Sequence, residues 1–191
     1  IATGALGFLT VRHGDDFSVV YGDAGGIRRL APGGTEGALE HALRSVDHAI
    51  THSVAPNDRD ALLGYVAKNI ARRMIVVIVT DETPTTESTE RMLRRLTVQH
   101  DVLWLTLRDA EPVLAQGARA RRDADTSWVV PDFVHGDLDV IAELAAQEAA
   151  DTSRRDELLR RLEITHVELG GQEQTVGALL AMLNRRSHAR L

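Results

Sequence analysis

The chain has no cysteine among its 191 residues. That absence excludes disulfide bonds, thiolate metal sites and cysteine nucleophiles, and it fits a cytoplasmic location. No hydrophobic stretch approaches the length of a membrane span. No signal-peptide pattern opens the chain, although it begins at Ile1 rather than at a methionine. Positive charge is in deficit: the formal net charge is −6, which argues against a general nucleic-acid binder. The basic clusters Arg91, Arg94, Arg95 and Arg185, Arg186, Arg190 read as solvated helix faces or a tail. Several catalytic and cofactor fingerprints are missing too. There is no G-x-G-x-x-G for a dinucleotide and no G-x-S-x-G nucleophile elbow. Gly33-Gly34-Thr35 lacks the lysine of a phosphate-cradling loop. No internal repeat or low-complexity segment interrupts the chain.

What is present is one ordinary globular composition, 43% apolar, long enough for a single domain with a full core. The chain is organised around Met74 to Glu82, MIVVIVTDE. Ile75 to Val79 are all apolar and β-branched, and Thr80 continues the branching. An unbroken run of this kind suits a strand buried on both faces, as in a parallel sheet under helices. It stops at Asp81 and Thr83-Pro84. Ligands of open α/β sheets sit beyond the carboxyl ends of the strands, so Asp81 stands where a functional carboxylate is expected.

The rest of the chain alternates helices with strands. Ile1 to Val11 reads as the back half of a helix. Phe17 to Tyr21 reads as a strand, Gly22 to Gly26 as a tight connection, and Ile27 to Ala31 as a short strand on a sheet edge. Thr35 is an N-cap for a helix whose apolar stripe is Leu39, Leu43, Val46 and Ile50. After a break at Ser53 to Asp58, with a cap at Asn57 or Asp58, the next helix turns Leu63, Val66 and Ile70 to the core. It ends at Arg72-Arg73. Thr86 to Gln99 is amphipathic, with Met92, Leu93 and Leu96 inward and the i,i+4 pairs Glu87–Arg91 and Glu90–Arg94 outward. Val102 to Leu107 is a second buried-type strand, and His100 closes the helix before it. Ala115 to Asp125 reads as a surface excursion and Ser127 to Val130 as an edge segment. Leu138 to Arg161 is helical, with a break expected near Asp151-Thr152-Ser153. His166 to Leu169 is a last strand, and Val176, Leu179, Leu180 and Leu183 mark a terminal helix. All these segments are read directly from the sequence. Strands alternating with helices imply an α/β, doubly wound, mostly parallel sheet.

Two candidate chemistries stand beside Asp81. His48 and His52 are spaced i,i+4 and present two imidazoles on one helix face, without the glutamate of the zinc-protease motif. Asp109 and Glu111, at the exit of the second buried strand, form another carboxylate pair, or a turn with a helix start at Pro112. Metal-assisted hydrolysis by Asp81 with Asp109 or Glu111 is the enzymatic alternative.

The strand VVIVTDE, then HDVLWLTLRDAEPV, then RRLEITHVEL with its short terminal helix, and early HGDDFSVVYGD, resemble a von Willebrand factor A-type domain. The resemblance is to the bacterial domain-of-unknown-function family 58, whose members are commonly encoded beside MoxR-type AAA+ ATPases. It covers essentially the whole chain, and implies one domain over residues 1–191 with Rossmann-like topology and helices on both faces of the sheet. It also implies a metal-ion-dependent adhesion site for Mg²⁺, fed by three loops. Asp81 matches the third loop. Asn57 matches the second by topology, and Thr35 is the other candidate for that role. The first loop, D-x-S-x-S, does not occur in these residues. The family's first strand therefore falls outside the numbering or is lost, and no tight Mg²⁺ binding is expected of residues 1–191 alone. The implied function is a non-enzymatic interaction module that partners a MoxR-type ATPase. An open sheet edge left by the absent strand would favour a homodimer. A scaffold that binds through helix faces alone is the third reading.

Overall fold

The computed structural model describes residues 1–53, 55–108, 138–170 and 172–188. In chain order its elements are α1 (Ala2–Arg12), β1 (Val20–Asp23), β2 (Gly26–Arg29), α2 (Glu36–His52), α3 (Arg59–Asn69) and β3 (Ile75–Thr80). They continue with α4 (Glu87–Gln99), β4 (Asp101–Leu107), α5 (Leu138–Arg161), β5 (Thr165–Leu169) and α6 (Gln172–His188).

The β-branched run forms β3, as its composition predicts. It pairs in parallel with β4, from Ile75 opposite Asp101 to Thr80 opposite Thr106. β4 pairs in parallel with β5, from Leu103 opposite Thr165 to Leu107 opposite Leu169. The sheet order is β3-β4-β5. β4 lies in the middle, and Asp101 to Thr106 are all buried. β3 has a strand on one side only among the described residues, and its Ile75 and Val79 are 58% and 39% exposed.

Alternation along the strands builds two cores. Ile78, Val102 and Trp104 face Leu63 and Ala67 of α3, Leu93 and Leu96 of α4, and Leu158 and Leu159 of α5. On the other face Leu103, Leu105, Val167 and Leu169 meet Ala2 of α1 and Leu179 and Met182 of α6. The chain is thus a mixed α/β structure whose three-stranded parallel sheet is flanked by helices, compatible with a Rossmann-like arrangement.

Several local expectations need correction. The segment expected to supply strands from Phe17 and Ile27 instead forms a separate antiparallel hairpin, β1 with β2, and not an edge of the parallel sheet. Phe17 keeps only an isolated bridge to Gly33. Gly22 and Gly26 lie inside the ladder rather than in the turn. A Cβ on Gly22 would collide with the Gly26 carbonyl, so only glycine allows that close crossing.

The expected stripe of α2 is also partly wrong: Ile50 is 76% exposed. α2 packs on α1, with Leu39 against Gly7 and Leu43 against Gly4, and that contact ends before Ile50. α3 ends at Asn69, so Arg72 and Arg73 lie past it. Among the ion pairs of described residues Glu90 binds Arg94 at 2.6 Å and Arg161 at 2.9 Å, whereas none joins Glu87 to Arg91. α5 runs unbroken through Asp151, where Gln147 and Arg154 bond the Asp151 carboxylate and bridge the expected break. α6 buries Thr175, Leu179 and Met182, leaving Val176 and Leu180 half exposed. The expectations for Ala115 to Asp125, Ser127 to Val130, Asp109 and Glu111 lie outside the described residues.

Leu96 is fully buried between α4 and the sheet. Leu96→Ala should cost about 2–5 kcal/mol of stability. Ile50→Ala should stay within about 0.5 kcal/mol of the native chain. Urea titrations of the two variants check the assignment of α2 and α4 faces.

Candidate functional site

The site is built where β3 ends and α4 begins. Thr80 is the last, buried residue of β3. Asp81 follows, half-buried, and its Oδ1 accepts the Thr83 N–H at 3.1 Å and the Thr80 hydroxyl at 3.3 Å. This is an Asx-turn, which lets a short polar side chain close a loop without strand or helix hydrogen bonds. Thr86 then caps α4. Its Oγ1 accepts the Thr89 N–H at 3.1 Å while Thr89 Oγ1 accepts the Thr86 N–H at 3.1 Å. The reciprocal bonds form a capping box with threonine in the usual Glu/Gln place.

Thr89 is fully buried, so its hydroxyl proton needs an acceptor inside the protein. Asp60, in the first turn of α3, supplies one. Asp60 Oδ1 accepts from Thr89 Oγ1 at 2.7 Å and Oδ2 from Thr86 Oγ1 at 2.9 Å. Its charge also lies at the positive ends of α3 and α4, where a carboxylate is favoured. The neighbouring Arg59 donates to the Thr83 carbonyl at 2.9 Å and the Pro84 carbonyl at 2.7 Å. Its guanidinium stands 5.7 Å from the centre of the Trp104 ring, within cation–π range. Burial pushes the Arg59 pKa down, and the negative charges of Asp60 and Asp81 oppose that shift; a guanidinium so placed remains charged. Glu82 and Arg108 complete the rim with a 3.7 Å ion pair.

Asp81 thus stands at the strand exit, as its place in the sequence predicts. Thr35 caps α2, accepting the Ala38 N–H at 3.2 Å; no hydrogen bond or ion pair among described residues joins it to Asp81. Asn57 lies between Pro56, whose carbonyl accepts the Ala24 N–H at 2.9 Å, and Asp58. Asp58, not Asn57, caps α3, accepting the Ala61 N–H at 2.9 Å. The groups gathered near Asp81 are Arg59, Asp60, Thr86 and Thr89, none of which belongs to a recognised motif of the sequence. Two signals mark them: five threonines within residues 80–89, and a second aspartate two residues after the cap Asp58.

This oxygen-rich corner does not fit Mg²⁺. That ion demands near-octahedral oxygen ligation. Both Asp60 oxygens already accept threonine hydroxyls, and Arg59 supplies positive charge to Asp60 and Asp81. A second polar group lies between α5 and β5, where Asp156 of α5 and His166 and Glu168 of β5 come within mutual ligand distance. There the buried Arg155 binds Glu168 and Asp156, and His166 Nε2 lies 3.0 Å from Thr106 Oγ1, which accepts the Trp104 N–H. The guanidinium makes this an ion-pair network already neutralised from within.

The family described as "Protein of unknown function DUF58" matches residues 1–131. No curated protein and no solved structure matches the chain.

Two histidines give the fold a pH dependence. His100 is 1% exposed. Burial lowers its pKa below the ordinary 6.5, with Arg73 adding to the effect. Burial, then Arg155, lowers that of His166 below 6.5 as well. Both bind a proton less readily in the fold than in the unfolded chain, where they take one up near 6.5. Stability is therefore complete above pH 6.5 and falls as pH drops from there toward the folded-state values. Each group can add a slope of up to about 1.4 kcal/mol per pH unit in that window. Urea unfolding between pH 7.5 and 5 should show the decline, and His100→Gln should reduce its slope.

Proposed function

The chain belongs to the family described as "Protein of unknown function DUF58", and from that premise we propose that it is a non-enzymatic protein-interaction module. In this reading it is a von Willebrand factor A-like domain of the cytoplasm, and its partner is a MoxR-type AAA+ ATPase. The observation that carries the reading is Asp81 at the carboxyl end of β3. There the α3 and α4 N-termini and the Thr83–Pro84 loop meet in one fixed surface. Such loop-bearing ends of a parallel sheet are the usual docking face of α/β folds.

Asp81 is the residue that best matches a ligand of the family's adhesion site; Thr35 also caps α2, and Asn57 neighbours the α3 cap. Contact with the partner runs through Asp81 and the Thr83 to Thr86 loop, with Arg59 providing the fixed positive charge. Among the described residues no helix is long and apolar enough to cross a membrane. Among the described residues β3 is paired on one side only, and with Ile75 and Val79 exposed this supports a second association, a homodimer by strand pairing.

Asp81→Ala should leave the melting temperature nearly unchanged and weaken capture of the MoxR-type ATPase of the same genome at least about tenfold, a loss of about 1.4 kcal/mol. Unchanged capture would count against this docking face. The chain should hydrolyse neither nucleotides nor esters; turnover abolished by Asp81→Asn or Glu111→Gln would instead support the hydrolytic alternative.

A further inference from the structure

We infer that Trp104, Thr106, His166 and Asp156 form a one-way chain of hydrogen bonds that holds the His166 imidazole neutral, with its proton on Nδ1, and makes the contact of α5 with the sheet sensitive to mild acid. The chain joins β4, β5 and α5 and does not rest on the interaction reading of the Asp81 face. Trp104 and Thr106 are two residues apart on β4, so they share one face of the strand. His166 stands opposite Trp104 in the pairing of β4 with β5, and Asp156 approaches from α5.

Each bond has a direction. Trp104 Nε1 donates to Thr106 Oγ1 at 3.0 Å, and an indole nitrogen can only donate. Thr106 is fully buried, so its own hydroxyl proton needs an acceptor inside the protein. Among the described residues that acceptor is His166 Nε2, 3.0 Å from Thr106 Oγ1. Accepting requires a lone pair on Nε2, so the ring proton is on Nδ1. There it faces Asp156 Oδ1 at 3.3 Å, and an ionised carboxylate only accepts. Every donor of the chain thus has an acceptor in one arrangement of protons. The order of hydroxyl, imidazole and carboxylate is that of a hydrolase triad. A nucleophile must meet its substrate, however, and Thr106 has no exposed surface.

A second proton on the ring breaks this arrangement. Nε2 then donates toward Thr106 Oγ1, and the Thr106 proton is left buried without an acceptor, which is costly. The charges facing the ring are Arg155 and Asp156 of α5 and Glu168 of β5. Burial, then Arg155, opposes protonation, and the two carboxylates favour it. Arg155 binds both carboxylates, which limits what they offer the ring. An imidazolium escapes the conflict by leaving its place between Thr106 and Asp156. α5 then loses one of the few contacts that hold it: only Arg155, Leu158 and Leu159 of this helix are buried, and residues 142–150 are exposed throughout.

Nitrogen NMR of the imidazole rings in the intact chain tests the inference. At pH 7.5 His166 should show the neutral form protonated on Nδ1. On acidification its ring, the Trp104 indole N–H and the α5 amides of Arg155 to Leu159 should change together, with one midpoint below the value of about 6.5 for an unperturbed histidine. Thr106→Val, which keeps the shape and removes the hydroxyl, should bring in the Nε2-protonated form and raise the midpoint by about one pH unit. Thr106→Ser should keep the native tautomer and midpoint. Asp156→Ala, at an exposed position, should leave the proton on Nδ1, because Thr106 sets it, and should lower the midpoint. An Nε2-protonated or charged ring at pH 7.5, in the native chain or in Asp156→Ala, would overturn the inference. So would α5 amides that do not follow the His166 titration, or an unchanged midpoint in folded Thr106→Val.

Discussion

A buried hydroxyl decides how this molecule is put together at its loop-bearing end. Thr89 has no access to water, and an unsatisfied buried donor costs on the order of 1–3 kcal/mol. Asp60 removes that cost and at the same time takes the Thr86 hydroxyl. One carboxylate therefore fixes α3 against the start of α4. Arg59, one residue earlier, holds the two carbonyls of the loop between β3 and α4. Asp81 sits at the root of that loop, so its position follows from a network anchored at Arg59 and Asp60, 22 and 21 residues before it in the chain.

The sheet beneath is asymmetric. β4 has strands on both sides and is buried nearly throughout, while β3, just as apolar in sequence, has one neighbour among the described residues. Unpaired strand edges are usually blunted by charge, proline or a bulge, and Ile75 to Thr80 carries none of these. The opposite flank, β5, is polar instead. His166 and Glu168 share a face with Trp104 and Thr106 and are tied to α5 by Arg155 and Asp156. Keeping the Arg155 charge buried requires those carboxylates.

The parts of the fold legible in the sequence are those with local causes. Unbroken β-branched or apolar runs mark β3 and β4, and the spacing of Leu93 and Leu96 marks the inner face of α4. Ile50 misled because α2 buries its stripe against α1, a partner that periodicity does not reveal. The hairpin was displaced because glycine at positions 22 and 26 serves close strand approach and not only the turn. At the site, Asp81 was legible from the strand it ends. Arg59 and Asp60 were not, since their partners Thr83, Pro84, Thr86 and Thr89 lie 24 to 30 residues further along. Asn57 is matched by topology and Thr35 by its Gly-Gly-Thr context; Thr35 also caps α2, since a cap and an oxygen ligand use the same residue types.

Asp60 organises the surface around Asp81. Native-state amide hydrogen exchange measures this directly at Thr83 and Thr89, whose N–H groups bond Asp81 and Thr86. In Asp60→Ala these two amides should exchange faster, with protection of the β4 amides Leu103 and Leu105 retained. Exchange at Thr83 and Thr89 identical to that of the native chain would contradict it.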